Sequence, residues 1–229
     1  MKTPPAVRDR AARVGASLAH LALLVAPVPL FGVGPRLLEL PVLTVLALAL
    51  VLEMQDRRAA PEAFSSAEPG ATRLASLTGV ALLLVCWAGL VDFATGSAIP
   101  FLPGLLLGTS AGLLGAGLRR AAINALGSGF TSGFEPRAAR RVETGAYSVL
   151  RHPSETGLLL WAVGVALVLH SGLALGLVLL VLLPLSSLRI SHEERYLARC
   201  FDVADVPARR AALLGPSPRG DREPAGSHS

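Results

Sequence analysis

The chain has 229 residues, of which 52% are hydrophobic and 16% charged, and its formal net charge is +5. Soluble domains are roughly 25% charged, so this composition excludes an ordinary soluble enzyme and predicts an integral membrane protein. The two cysteines form no disulfide or metal-binding pattern, so we expect no metal. The basic residues flank apolar runs and few aromatic residues lie among them, which argues against a nucleic-acid partner.

Apolar runs divide the chain and predict an all-α membrane bundle of about six transmembrane helices. The first region, 1–118, contains four of these runs, and the second, 119–214, contains a loop, a helical hairpin and an amphipathic tail. The last segment, 215–229, is rich in Pro, Gly and Ser and is predicted to be disordered. The six runs are 14–33, 37–52, 74–91, 99–118, 154–170 and 172–188. The last two are slightly shorter than the ~20 residues that span a bilayer.

The fourth run has glycines at four-residue intervals, Gly104, Gly108 and Gly112. This spacing leaves one helix face without side chains and predicts that a second helix packs closely against it. We expect the pair Arg119-Arg120 to end this helix. A long loop would then extend to Arg151, and loops of that length in a compact protein are usually functional or disordered.

The last two runs are of nearly equal length, and Ser171-Gly172 separates them. A tight turn there returns the chain to the membrane face it left, so the polar residues before the hairpin should meet those after it. Pro153 suits the first turn of a helix, and Arg189 and Glu193, four residues apart, share a helical face. The polar residues at the entrance are Tyr147, Arg151, His152 and Glu155, and those at the exit are Arg189, Glu193 and Glu194.

The basic residues predict the orientation. In a six-span arrangement 20 of the 21 Lys and Arg residues fall on one side, and Arg36 is the exception. Because positively charged loops stay in the cytosol, we expect both termini and both polar clusters to be cytosolic. The composition, rich in Ala, Leu, Arg and Gly, is typical of a bacterial chain, so the bacterial inner (plasma) membrane is the expected location.

The motifs between residues 119 and 214 resemble the isoprenylcysteine carboxyl methyltransferase family and the related phospholipid N-methyltransferases. They include Val142-Glu143-Thr144-Gly145-Ala146-Tyr147, then Arg151-His152-Pro153-Ser154-Glu155-Thr156-Gly157, and then Glu193-Glu194 with Phe201 following. The resemblance implies an integral membrane methyltransferase that uses S-adenosylmethionine as its cofactor. Two positions depart from the family pattern. Glu155 replaces an aromatic residue, and the tail after Phe201 lacks the usual tyrosines.

Carried over to this chain, the family pattern assigns the cofactor to Tyr147, His152, Pro153, Ser154, Gly157 and Glu193, and the methyl acceptor to Arg189. Glu155 and Glu194 join the predicted cofactor set by position, and Arg151 joins Arg189 as a candidate catalytic residue. The chemistry agrees, since S-adenosylmethionine carries an ammonium, a sulfonium, a carboxylate, a ribose diol and a flat base. A site for it needs carboxylates, a cationic donor and an aromatic or apolar wall.

Two alternatives remain open from the sequence. A membrane sterol-type reductase that uses NADPH shares the hairpin, although the residues from His192 to Asp202 fit its pattern poorly. A non-catalytic membrane relative is the second alternative. For the methyltransferase, we expect the acceptor to be a lipid or a lipophilic small molecule with a carboxylate, amine or thiol.

Overall fold

In the computed structural model, the residues described are 22–23, 26, 38–58, 69–96, 102–126 and 144–200. Among these residues there are helices and no strand, which confirms the all-α prediction. The α-helices are α1 (Leu40–Arg58), α2 (Pro69–Thr95), α3 (Leu102–Leu126), α4 (Pro153–Val168), α5 (Gly172–Leu177) and α6 (Leu183–Cys200). A 3-10 helix covers Gly145–Ser148, and a π-helix, Val178–Leu182, joins α5 to α6. Nearly all of the predicted first span, and the whole tail after residue 200, lie outside the described residues.

Two helical segments are long and apolar enough to cross a membrane, Arg73–Thr95 and Gly172–Arg195. Two shorter apolar helices, Leu40–Gln55 and Pro153–Val168, accompany them. Large apolar side chains on these helices are exposed in the single chain, with Leu180 reaching 79% exposure. Extended exposed apolar surface on a monomer marks contact with a membrane or a partner, and the composition of this chain favours a membrane.

Helices α3 and α4 pack with their backbones almost in contact. A Cβ atom placed on Gly108 would lie 2.6 Å from the backbone nitrogen of Val168, and one on Gly164 would lie 2.5 Å from that of Gly112. A Cβ on Gly115 would lie 2.5 Å from the Gly157 carbonyl oxygen. The predicted close approach on the glycine face of α3 is therefore confirmed, and α4 supplies glycines of its own.

Helix α1 packs beside α3 and runs in the same direction. The Gln55 amide donates a hydrogen bond of 3.0 Å to the Ala116 carbonyl, and the Trp161 indole N–H donates one of 3.2 Å to the Leu48 carbonyl. A Cβ at Gly112 would meet the side chain of Leu48. The start of α1 therefore lies at the same end of the bundle as the start of α3, opposite the end where α3 finishes.

The hairpin turn forms where the sequence predicts it. His170 adopts a left-handed conformation with φ of 53°, and the Ser171 hydroxyl caps α5 by accepting a hydrogen bond of 2.9 Å from the Ala174 N–H. The same hydroxyl donates to Asp92 at the end of α2 over 2.7 Å. This tie fixes the turn to α2, so the two arms of the hairpin return to the opposite end of the bundle.

The prediction that Arg119-Arg120 ends the fourth helix is wrong. Helix α3 continues to Leu126 through Ala121 and Ala122, and alanine has the highest helix propensity. Arg119 is only 8% exposed because it lies where α3 packs on α4. An arginine that has a hydrogen-bonding partner on a neighbouring helix does not require the helix to end.

Candidate functional site

The site lies at the end of the bundle where α4 begins. Pro153 occupies the first turn of α4. His152, the residue before it, has a backbone conformation that is neither helical nor fully extended, with φ −128° and ψ 62°. The chain therefore turns sharply into the helix at His152, and its imidazole is held against α6 at 9% exposure. On the first turn of α4, Ser154 contacts Arg119 of α3 and Glu155 contacts Arg189 of α6.

The imidazole of His152 lies between two consecutive carboxylates of α6. Its Nδ1 atom is 3.7 Å from Glu193 Oε2, and its Nε2 atom is 3.3 Å from Glu194 Oε1. Arg151 Nη1 approaches the same Glu194 oxygen to 3.7 Å. We call these four residues the outer layer. The hairpin has thus brought the entrance and exit clusters together, as its near-equal arms imply.

The outer layer favours a protonated His152. Burial lowers the pKa of this histidine, but hydrogen bonds and charge interactions with Glu193 and Glu194 outweigh burial and raise the pKa above its ordinary value. Burial also raises the pKa of Tyr147, and the carboxylate of Glu193 adds to this effect. Tyr147 is therefore a neutral phenol close to the outer layer, available as a hydrogen-bond donor or an aromatic wall.

Glu155 and Arg189 form a second, more buried pair, the inner layer. Arg189 Nη1 lies 3.1 Å from Glu155 Oε1, and the side chains are 15% and 6% exposed. Glu155 follows His152 by three residues on α4, and Arg189 precedes Glu193 by four on α6. At 1.5 Å of rise per residue, the inner layer lies roughly 5 Å deeper in the bundle than the outer layer.

The sequence analysis missed Arg119 as a member of this site. Its Nη1 atom donates a hydrogen bond of 2.8 Å to the Ser154 hydroxyl, which joins α3 to the first turn of α4. It also affects the Tyr147 phenol electrostatically, in the direction opposite to Glu193. The available signal was spacing. Arg119 lies four residues after Gly115, which contacts α4, and so lies on the packed face of α3.

The other predicted cofactor residues lie nearby in different environments. Pro153 is buried at the start of α4, and Ser154 accepts a hydrogen bond from Arg119. Gly157 lies in the α3–α4 contact, where a Cβ atom would come within 2.6 Å of the Gly115 carbonyl oxygen. In this structure Gly157 therefore permits the close packing of α3 on α4. Arg189, the predicted acceptor residue, forms an ion pair with Glu155.

The donors and acceptors at this end fit S-adenosylmethionine chemically. The Glu193 and Glu194 side chains are 38% and 37% exposed, so an ammonium or ribose hydroxyl groups can reach these carboxylates from solvent. Arg151 Nε is buried and finds no hydrogen-bond partner within the described part of the chain, which leaves one N–H donor for a carboxylate. Tyr147 supplies an aromatic face.

The fold and site define an apolar helical protein that gathers arginine, histidine and glutamate at one end of its hairpin. Residues 107–199 match the model of the isoprenylcysteine carboxyl methyltransferase (ICMT) family. The resemblance predicted from the sequence is confirmed over these residues. No solved structure matches significantly.

Two curated relatives align with part of the chain. The protein-S-isoprenylcysteine O-methyltransferase of Saccharomyces cerevisiae is 38% identical over 74 residues, which are 32% of this chain and 31% of the relative. Protein-S-isoprenylcysteine O-methyltransferase B of Arabidopsis thaliana is 33% identical over 113 residues, 45% of this chain and 57% of the relative. The alignments thus cover about a third of the first relative's length and somewhat more than half of the second's. Neither relative supports the reductase alternative.

Proposed function

We propose that this chain is an integral membrane methyltransferase that moves a methyl group from S-adenosylmethionine to a lipophilic acceptor. The observation that carries this proposal is the outer layer, where His152 bridges Glu193 and Glu194 within the family-matched residues 107–199. The two carboxylates raise the pKa of this buried histidine, and residues with shifted pKa values cluster at functional sites. Its position at the end of an apolar hairpin gives one face to water and the other to lipid.

In this proposal the outer layer holds the methyl donor. Glu193 and Glu194 accept hydrogen bonds from its ammonium or ribose hydroxyl groups, and Arg151 donates to its carboxylate. Tyr147 covers the flat base, while Pro153, Ser154 and Gly157 shape the start of α4 beside it. His152 fixes both carboxylates in place, since it touches each of them.

The inner layer then faces the acceptor. Bound S-adenosylmethionine supplies a methyl group activated by a sulfonium, so the protein needs no nucleophilic side chain of its own. The chain's task is to hold the acceptor in line and close to the donor, and such positioning can supply about 7 to 11 kcal/mol of the barrier reduction. Arg189, held by Glu155 at the apolar border, orients the acceptor.

We further propose six transmembrane helices, cytosolic termini and a bacterial inner-membrane location. The apolar runs, the basic residues on one side and the exposed apolar faces of α2 and the last helix support this arrangement. The donor then enters from the cytosol and the acceptor from the bilayer. The matched relatives' names include isoprenylcysteine, a lipid-modified residue, which agrees with an acceptor that resides in the membrane.

Equilibrium binding to the detergent-purified full chain tests the proposal. S-adenosylhomocysteine, the product of methyl donation, should bind with a dissociation constant in the micromolar range, whereas NADPH should not bind. Tight NADPH binding would instead support a reductase, and binding of neither molecule would support a non-catalytic relative. Labelled S-adenosylmethionine incubated with the protein and total membrane extract should then transfer label into a lipophilic product.

A further inference from the structure

We propose that Glu155 is a displaceable internal ligand of Arg189, which competes with the carboxylate of a lipophilic acceptor for the same guanidinium. This inference rests on the proposed methyltransferase function and deepens it by naming the residue that controls access to Arg189. Three observations carry it: the ion pair of Glu155 with Arg189, the incomplete hydrogen bonding of Glu155, and the donors that surround it.

The first observation is that Glu155 occupies a place that an acceptor carboxylate would take. Its Oε1 atom lies 3.1 Å from Arg189 Nη1, and the side chains of Glu155 and Arg189 are 6% and 15% exposed. Guanidinium groups bind carboxylates strongly, and the matched family is named for methyl transfer to a carboxyl group. An acceptor carboxylate that approaches Arg189 meets a like charge with little water to screen it. It therefore binds fully only after Glu155 has moved aside.

The second observation is that only one oxygen of Glu155 is held. Oε2 is buried and has no hydrogen-bond partner among the residues that the structure describes. Arginine holds a carboxylate most firmly when both oxygens accept hydrogen bonds, and a buried oxygen without a partner costs free energy. The resting pair is thus weaker than a fully bonded one. An acceptor that presents both carboxylate oxygens to Arg189 can displace Glu155.

The third observation is that donors lie beside Glu155 on the side of α3. Arg119 donates a hydrogen bond to Ser154, the residue before Glu155 on α4. Arg119 and Glu155 also affect the pKa of the Tyr147 phenol in opposite directions, so both side chains lie near that phenol. The neutral phenol can donate its O–H to a carboxylate. A displaced Glu155 can therefore turn toward Tyr147 and Arg119 without entering the lipid.

The competition is a property of this chain rather than of the family pattern. The pattern has an aromatic residue at the position of Glu155, and an aromatic side chain carries no carboxylate. With an aromatic residue there, Arg189 would have no internal competitor at this position. Glu155 therefore weakens acceptor binding relative to that pattern, which restricts the site to acceptors that bind Arg189 strongly.

The reaction removes the charge with which the acceptor competes. A lone pair on the acceptor's carboxylate oxygen forms the new bond to the methyl carbon, and the carbon–sulfur bond breaks with its electron pair on sulfur. The sulfonium becomes a neutral thioether, the carboxylate becomes a neutral ester, and no proton moves. Glu155 keeps its charge, so it recovers Arg189 from the ester. The residue that opposes acceptor binding thus promotes product release.

Equilibrium binding of dodecanoate tests the competition. The detergent-purified full chain is saturated with S-adenosylhomocysteine, and Glu155→Gln removes the charge of the side chain while keeping its shape. The dissociation constant for dodecanoate should fall by about tenfold or more. Dodecanol, which has the same chain length and no charge, should bind both proteins within about twofold. Equal or weaker dodecanoate binding by the variant would overturn the inference.

Two further variants and one control separate competition from a structural role. Glu155→Phe supplies the aromatic residue of the family pattern and covers the case in which Glu155→Gln does not fold. It should also bind dodecanoate more tightly than the parent. In Glu155→Gln/Arg189→Gln the gain should vanish, and a double variant that keeps it would contradict the role of Arg189. Glu39→Gln should bind like the parent, because Glu39 precedes α1 at the opposite end of the bundle.

Turnover tests product release in the same proteins. With labelled S-adenosylmethionine, Glu155→Gln should have a lower KM for dodecanoic acid, and methyl dodecanoate should inhibit it at lower concentration than the parent. Equal inhibition of the two proteins by the ester would contradict the release step. Failure of the parent to bind S-adenosylhomocysteine overturns the proposed function. Intact binding of that product with unchanged dodecanoate affinity in the variants overturns only the competition.

Discussion

The Nε2 atom of His152 lies 3.3 Å from Oε1 of Glu194, a residue 42 positions later in the chain. This contact joins the first turn of α4 to α6 and closes the hairpin at its polar end. Because Glu193 approaches the other ring nitrogen, a single imidazole contacts both carboxylates. His152 is therefore the central residue of the outer layer, and its protonation makes the stability of the folded protein depend on pH.

The stability of the protein should fall as pH rises through the region above 6.5. Contacts with Glu193 and Glu194 raise the pKa of His152 above its unfolded value of roughly 6.5, so the stabilisation is fully present below that pH. It is lost as the pH passes the higher pKa of the folded state. Thermal unfolding in detergent at pH 6 and pH 9 measures this. His152→Gln should remove most of the pH dependence, and a variant with the parental dependence would contradict this role.

Glu193→Gln and Arg189→Ala should separate donor binding from turnover. A hydrogen bond to a charged group contributes about 1.5 to 3 kcal/mol, and the partial exposure of Glu193 favours the lower figure. We therefore expect Glu193→Gln to weaken S-adenosylhomocysteine binding by about tenfold. Arg189→Ala should leave that affinity nearly intact and depress kcat. If both variants bind and turn over like the parent, the two residues have no part in the site.

Gly164→Ala should destabilise the bundle. The new methyl group would lie 2.5 Å from the Gly112 nitrogen and 2.6 Å from the Gly108 carbonyl oxygen, so α3 and α4 would have to separate. Overpacking of this kind typically costs about 1 to 3 kcal/mol. Gly117→Ala is the matched control on α3, since a Cβ there meets no atom within 4 Å. The prediction is a lower Tm for the first variant alone, and equal values would exclude a tight α3–α4 contact.

A reporter fused after Ser229 should be cytosolic. The basic residues predict this orientation because 20 of 21 fall on one side of a six-span arrangement. Paired fusions to alkaline phosphatase, which is active outside the cytosol, and to a fluorescent protein, which fluoresces inside it, measure the location. Phosphatase activity of the C-terminal fusion would show that the predicted orientation is wrong and that the donor enters from the opposite face of the membrane.

The sequence by itself determined the helical class, the hairpin and the residues that meet at its end. The signals were local ones: apolar runs, Pro153 at a helix start, and Ser171-Gly172 at a turn. Two arms of nearly equal length must bring their outer ends together, so the proximity of His152 to Glu193 and Glu194 followed from chain length alone. The family resemblance was equally local, since its motifs are short and contiguous.

Only the tertiary structure decided which charge faces which. Along α6, Arg189 and Glu193 are neighbours four residues apart, and spacing alone favours pairing them. In the folded chain α4 lies against the same face, so Arg189 contacts Glu155 and Glu193 contacts His152. Arg119 likewise takes its partner, Ser154, from another helix. A charged side chain takes its partner from whichever helix packs closest, and the spacing of residues along α6 does not encode which residues of α4 lie against it.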